Sequence, residues 1–100
     1  YLVALDPKSG KTLWRTERGV DWSADRYGAK DDPDQRKAFS TPYLLRVGGR
    51  TELVSVGARL FAAYDPRTGR ELWRLPHPGF SNASRPVAGG GLLFLNTGFN

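Results

Sequence analysis

The sequence contains no cysteine, no methionine and only one histidine among its 100 residues. Without cysteine there is no disulfide framework, no thiol nucleophile and no thiolate metal site. The lone histidine, His77, sits in the proline-braced stretch "LPHPG" with no second imidazole at ligand spacing. It reads as a bystander rather than a metal ligand. No apolar run is long enough to span a bilayer, and no basic-then-apolar leader opens the sequence. A sustained helical period is absent too, and so is any block of one charge sign. Lys and Arg number 15 against 10 Asp and Glu, a formal charge of +5. The two signs are nevertheless mixed through turns and strand ends, as in "KDDPDQRK" over 30–37. Such mixing describes a solvated surface and gives no basis for specific nucleic-acid recognition.

What is present is a globular composition, 39 % hydrophobic and 12 % aromatic, enough for about one modest core. The ends, "YLVALD" and "LLFLNTGFN", read like interior strand sequence, so the expectation is a piece of a longer repeat protein. The central signal is a duplication. "LDPKSGKTLWR" at 5–15 returns as "YDPRTGRELWR" at 64–74, an offset of 59. Ala4, Asp6, Pro7, Gly10, Leu13, Trp14 and Arg15 recur as Ala63, Asp65, Pro66, Gly69, Leu72, Trp73 and Arg74. Internal repetition therefore governs the reading of the fold.

Each copy has the chemistry of a hairpin. An apolar run, "YLVAL" or "LFAAY", predicts a strand buried on both faces, because it does not alternate. Asp-Pro-x-Ser/Thr-Gly then reverses the chain: Asp caps backbone amides, Pro presets its φ and Gly takes a positive φ. The return strand carries tryptophan. Between the copies, "STPYLLRV", "GGR" and "TELVSVG" predict a further hairpin. The same unit restarts as "SRPVAGGGLLFLNTG", where Ser84, Pro86, the glycines at 89–91 and Gly98 take the places of Ser40, Pro42, Gly48–Gly49 and Gly57. A four-stranded unit repeated in this way predicts an all-β fold, a β-propeller fragment of antiparallel blades with one complete and two partial. The expected divisions are the end of one blade at 1–16, an inserted crossover loop at 17–39, a complete blade at 40–75 and the start of the next at 76–100.

The pattern Ala63, Asp65, Thr68, Gly69, Trp73, with its upstream copy Ala4, Asp6, Ser9, Gly10, Trp14, resembles the tryptophan-docking motif of the PQQ-like repeat family. That family includes PQQ-dependent alcohol dehydrogenases and the outer-membrane assembly lipoprotein BamB. The resemblance implies that Trp14 and Trp73 pack between neighbouring blades against the glycine of the adjacent motif. It also implies a periplasmic or cell-surface location.

The departure from the repeat lies upstream of the second unit. Trp73 and Pro86 are 13 positions apart, whereas Trp14 and Pro42 are 28 apart. The excess, "GVDWSADRYGAKDDPDQRKAF", belongs to an outer-to-inner strand crossover. It falls on the same face as the turn near Gly57, opposite the Asp-Pro turns. Long loops of this kind concentrate function. Trp22 and Tyr27 within it either pin the loop or form an exposed aromatic contact for a partner. Asp31, Asp32 and Asp34 offer oxygens of the type that calcium takes, but the stretch lacks the turn glycine and distal Glu of a calcium loop. The expectation is a flexible acidic loop, not a metal site. "NAS" at 82–84 matches an N-glycosylation pattern but reads as the start of a strand. The triple glycine is a hairpin turn, since no helix follows to offer phosphate an N-terminus.

The leading functional reading is a non-catalytic scaffold with no cofactor and no catalytic residue, binding a protein or small ligand on the crossover face, in the setting of cell-envelope assembly. The alternative is a segment of a PQQ- and calcium-dependent dehydrogenase. The resemblance would then require an Asp base, Glu and Asn on calcium and an Arg over the quinone. Asn96 and Arg85 are of the right residue type. Glu52, placed beside the "GGR" turn, is expected on the far face and out of reach.

Overall fold

The computed structural model describes residues 1–97. Eight strands follow one another: β1 (Leu2–Leu5), β2 (Thr12–Thr16), β3 (Tyr43–Val47), β4 (Arg50–Gly57), β5 (Leu60–Tyr64), β6 (Glu71–Pro76), β7 (Val87–Gly89) and β8 (Leu92–Phe94). Two short 3-10 helices, Trp22–Ala24 and Pro33–Arg36, lie between β2 and β3. Every pairing is between sequence neighbours and antiparallel, giving a four-stranded sheet in the order β3-β4-β5-β6 with a hairpin on either side. This is the blade architecture of a β-propeller: one four-stranded blade and two two-stranded pieces. Gly98, expected to match Gly57, lies outside the described residues.

The Asp-Pro turns are built the same way in both copies. Asp6 Oδ1 accepts from the Lys8 amide at 2.8 Å, and Asp65 Oδ1 from the Arg67 amide at 2.9 Å. Gly10 and Gly69 close the turns at φ 73° and 78°, a region that glycine enters without a β-carbon penalty. The register then slips by one residue in both hairpins, between Ala4 and Leu5 and between Ala63 and Tyr64, so that Trp14 lies opposite Ala4 and Trp73 opposite Ala63. An extra residue on one strand bends the ladder and re-aims the side chains beyond it.

Burial is unequal between the copies. All five residues of β5 are buried, as its unbroken apolar run predicts. β1 instead alternates between half-buried and exposed. The two-face expectation fails there because β1 has a single strand beside it and one packed side. Leu2 and Val20 pack on the buried cluster of Leu60, Ala62 and Tyr64, joining the first hairpin and the insertion to the blade. The outward faces of the flanking strands leave Leu44, Leu92 and Phe94 more than half exposed.

Candidate functional site

Two arrangements bring sequence-distant chemistry together. The first joins the two hairpins. Trp14 Nε1 donates to the Pro66 carbonyl at 2.8 Å, and Thr16 Oγ1 donates to the Gly69 carbonyl at 2.6 Å. An indole N–H needs one partner when its ring is buried, and the neighbouring turn supplies it. Trp73 behaves differently. Its Nε1 donates to Glu52 Oε1 at 2.9 Å, inside its own sheet, while Arg50 pairs with the other carboxylate oxygen at 2.8 Å. Glu52, on β4 close to the "GGR" turn, is 2 % exposed. The residue lies on β4 between the two partners that neutralise and saturate it, and burial of the carboxylate requires both.

The second arrangement forms the crossover face. Arg59, in the turn between β4 and β5, is 6 % exposed and has φ 64°. Its Nε donates to Asp25 Oδ1 at 2.6 Å and its Nη2 to Gln35 Oε1 at 2.8 Å; its Nη1 donates to the Pro78 carbonyl at 2.5 Å. One guanidinium thus fastens both halves of the insertion and the segment after β6 to a single turn. The fork geometry of arginine suits such a hub. Asp25 in turn accepts from the Tyr27 and Ala29 amides at 3.0 and 2.8 Å. Hydrogen bonding from Arg59 holds the Asp25 carboxyl at about 2, against a smaller opposing effect of burial. Arg18 enters the same face from the other side, donating to Ser55 Oγ at 2.7 Å and to the Leu60 carbonyl at 3.0 Å. It passes over Gly57, where a β-carbon would stand 2.1 Å from its Nη2. Only glycine leaves that path open.

The insertion is therefore folded, which corrects the expectation of a flexible loop without bracing. Apart from Asp25, three of its acids bond locally. Asp21 caps the first short helix through Ser23, Asp32 caps the second through Asp34, and Asp34 Oδ1 accepts from Lys37 Nζ at 2.6 Å. Trp22 is half-buried with the Arg36 guanidinium 5.7 Å from its ring centroid. Tyr27 is 54 % exposed on the rim of a cleft of about 340 Å³ between insertion and blade. Asp21, Asp25, Arg59, Arg74 and His77 also line it.

His77 is not idle in this setting. Its ring stacks on Phe61 with centroids 4.1 Å apart. Nε2 lies 3.0 Å from the Gly57 carbonyl, and Nδ1 accepts from the Gly79 amide at 3.0 Å, which fixes the neutral tautomer with the proton on Nε2. Asn82, of the "NAS" stretch, is 1 % exposed and donates Nδ2 to the same Gly57 carbonyl at 3.0 Å. The folded chain hides that amide from any modifying enzyme.

The residues present do not fit a calcium–quinone centre. Among the described residues no three His, Cys, Asp or Glu converge to hold a metal. The Arg85 guanidinium lies 5.1 Å from the Tyr43 ring centroid, and Asn96 Nδ2 donates to Ser84 Oγ at 3.3 Å, so the two residues of suitable type are engaged separately. Asp25, Arg59 and Arg18 were not singled out by sequence. The available signal was "GARL" at 57–60, an arginine in a tight turn that leads into the apolar run "LFAAY", in a sequence with an Asp-rich insertion.

Comparison with known families gives a match over residues 1–100 to the PQQ_2 family, described as outer membrane protein assembly factor BamB. No curated protein and no solved structure matches the chain.

Proposed function

The chain belongs to the family described as outer membrane protein assembly factor BamB, and on that premise we propose that it acts as a non-catalytic PQQ-like propeller scaffold in the cell envelope. Its partner is a protein that engages the crossover face through the insertion at 17–39. The periplasm is the compartment that this family points to. The observation that carries the reading is the Arg59–Asp25 pair, 5 % exposed on both sides. A long loop held by a buried ion pair presents Tyr27 in a fixed position, and a rigid aromatic beside a cleft is the kind of anchor on which protein contacts centre. Trp14 and Trp73, with Ala4, Asp6, Gly10, Ala63, Asp65, Thr68 and Gly69, serve as the docking motif between blades, a role supported by the contact of Trp14 with the Pro66–Gly69 turn.

The test has two arms. A photocrosslinking residue placed at Tyr27 is expected to trap a discrete envelope protein, while the same residue at Lys11, on the opposite face, traps none. In the second arm the protein is titrated with PQQ and Ca²⁺ and assayed for alcohol oxidation. PQQ-dependent turnover that is lost in Arg85→Ala, Asp32→Ala or Asp34→Ala overturns the scaffold in favour of the dehydrogenase.

A further inference from the structure

We propose that protonation of the His77 imidazole releases the 77–79 turn from Arg59 and so unfastens the insertion from the blade, a pH-sensitive latch on the crossover face. The inference stands on hydrogen-bond geometry and holds whether or not a partner docks there. Both ring nitrogens of His77 are committed: Nε2 to the Gly57 carbonyl and Nδ1 to the Gly79 amide, each at 3.0 Å. A proton added to Nδ1 confronts the Gly79 N–H directly, donor against donor. Turning the ring over does not help, because both nitrogens then carry protons and the same amide still faces one of them.

The charges around the ring offer an imidazolium no relief. Arg18, from the segment after β2, and Arg59, from the β4–β5 turn, are the charged groups acting on it most directly. Asp25 is the nearby carboxylate of the insertion, and it is already neutralised by Arg59. Asp21, Arg26 and Arg74 share the cleft wall. Of these, Asp21 is bonded to Ser23 and Arg74 to Glu71. The remaining contacts are uncharged: Phe61 beneath the ring, Asn82 on the Gly57 carbonyl and Thr97 against Gly79. Burial accordingly pushes the imidazole below its ordinary value, opposed by the Gly57 hydrogen bond and reinforced by the two guanidinium groups.

The structural consequence runs through three bonds. His77 N–H donates to the Arg59 carbonyl at 3.0 Å, Arg59 N–H to the Gly79 carbonyl at 2.9 Å, and Arg59 Nη1 to the Pro78 carbonyl. Displacing Gly79 and Pro78 breaks the hydrogen bonds that brace Arg59 against the 77–79 turn, and Asp25 and Gln35 then hold a guanidinium with less to fix it. The ring is half-buried, so protons reach it without global unfolding.

Amide hydrogen exchange by NMR, corrected for intrinsic pH dependence, tests this on the folded protein. An imidazole that titrates near 6.5 once the turn opens raises the opening constant by about tenfold at about pH 5.5 relative to neutral pH. The Gly79, Tyr27 and Ala29 amides are expected to lose protection by that factor, while β5 amides stay unchanged. In His77→Gln, whose side-chain amide supplies one donor and one acceptor without titrating, the pH dependence should vanish. Should that variant fold poorly, ¹⁵N titration of the His77 ring in the unaltered protein gives the second reading: the Nε2–H tautomer at neutral pH and a midpoint that coincides with the exchange midpoint. Flat protection down to about pH 5, equal loss in β5, the same pH response in His77→Gln, or ring and exchange midpoints that differ would each overturn the latch.

Discussion

Trp14 and Gly69 fit together so closely that a β-carbon on Gly69 would stand 2.5 Å from the indole Cε3. The contact joins the first hairpin to the blade, and the Trp14 N–H completes it on the Pro66 carbonyl. Gly69→Ala is therefore strained twice, by its φ of 78° and by the indole. Trp14→Ala should cost about 3 kcal/mol, the lower end for a large aromatic because the ring is only half-buried. Gly10→Ala, with nothing within 4 Å, should cost clearly less than Gly69→Ala in urea melts. Equal losses at the two glycines would remove the indole from the explanation.

Breaking the buried Arg59–Asp25 pair from one side leaves an uncompensated charge. Asp25→Ala is expected to destabilise by about 3–5 kcal/mol, and replacing both residues with apolar ones should recover part of that loss. A double-mutant cycle in denaturant measures the coupling. Strictly additive losses would mean that the two side chains act independently.

Acid should reveal the same pair. The Asp25 carboxyl lies near 2 when folded against 3.8 ordinarily, so the unfolded chain takes up its proton first as pH falls. The stabilisation is complete above about pH 4 and is lost as pH drops toward 2. Asp25→Asn should flatten that part of the stability–pH curve measured by thermal melting. An unchanged acid limb would assign the transition to other carboxylates.

The second tryptophan provides a contrast within the blade. Trp73→Ala, half-buried like Trp14, should cost about 3 kcal/mol, and Trp22→Ala in the insertion much less. Glu52→Leu, which strands the Trp73 N–H while the exposed Arg50 charge turns to water, should cost about 1–3 kcal/mol, with Glu52→Gln milder because an acceptor remains. Comparable denaturation midpoints for Trp73→Ala and Trp22→Ala would contradict the division between blade and loop.

The blade was legible because its determinants are local. Asp-Pro-x-Ser/Thr-Gly builds a turn from five consecutive residues, and strand pairing between sequence neighbours follows from it. Partner identity was less accessible. Trp14 packs on the Pro66–Gly69 turn as the motif implies, whereas Trp73, with no third copy of the motif in the sequence to meet it, takes Glu52 on its own sheet. The insertion was least readable. Its visible acids, Asp31, Asp32 and Asp34, drew attention by clustering, yet the carboxylate that organises the site is the isolated Asp25. Its partner lies 34 positions away, and no periodicity links them.

Arg59 occupies a backbone region that a side chain enters at a cost of about 1–2 kcal/mol and that glycine enters freely. The same residue is thus a poor choice for its turn and the best available choice for the loop it holds. Arg59→Gly separates these demands: the β4–β5 hairpin relaxes while the insertion loses its clasp. Local backbone preference and long-range attachment compete at one position, so selection for a faster-forming hairpin would work directly against a well-ordered crossover face. Arginine at this position settles the conflict in favour of the surface it helps to order.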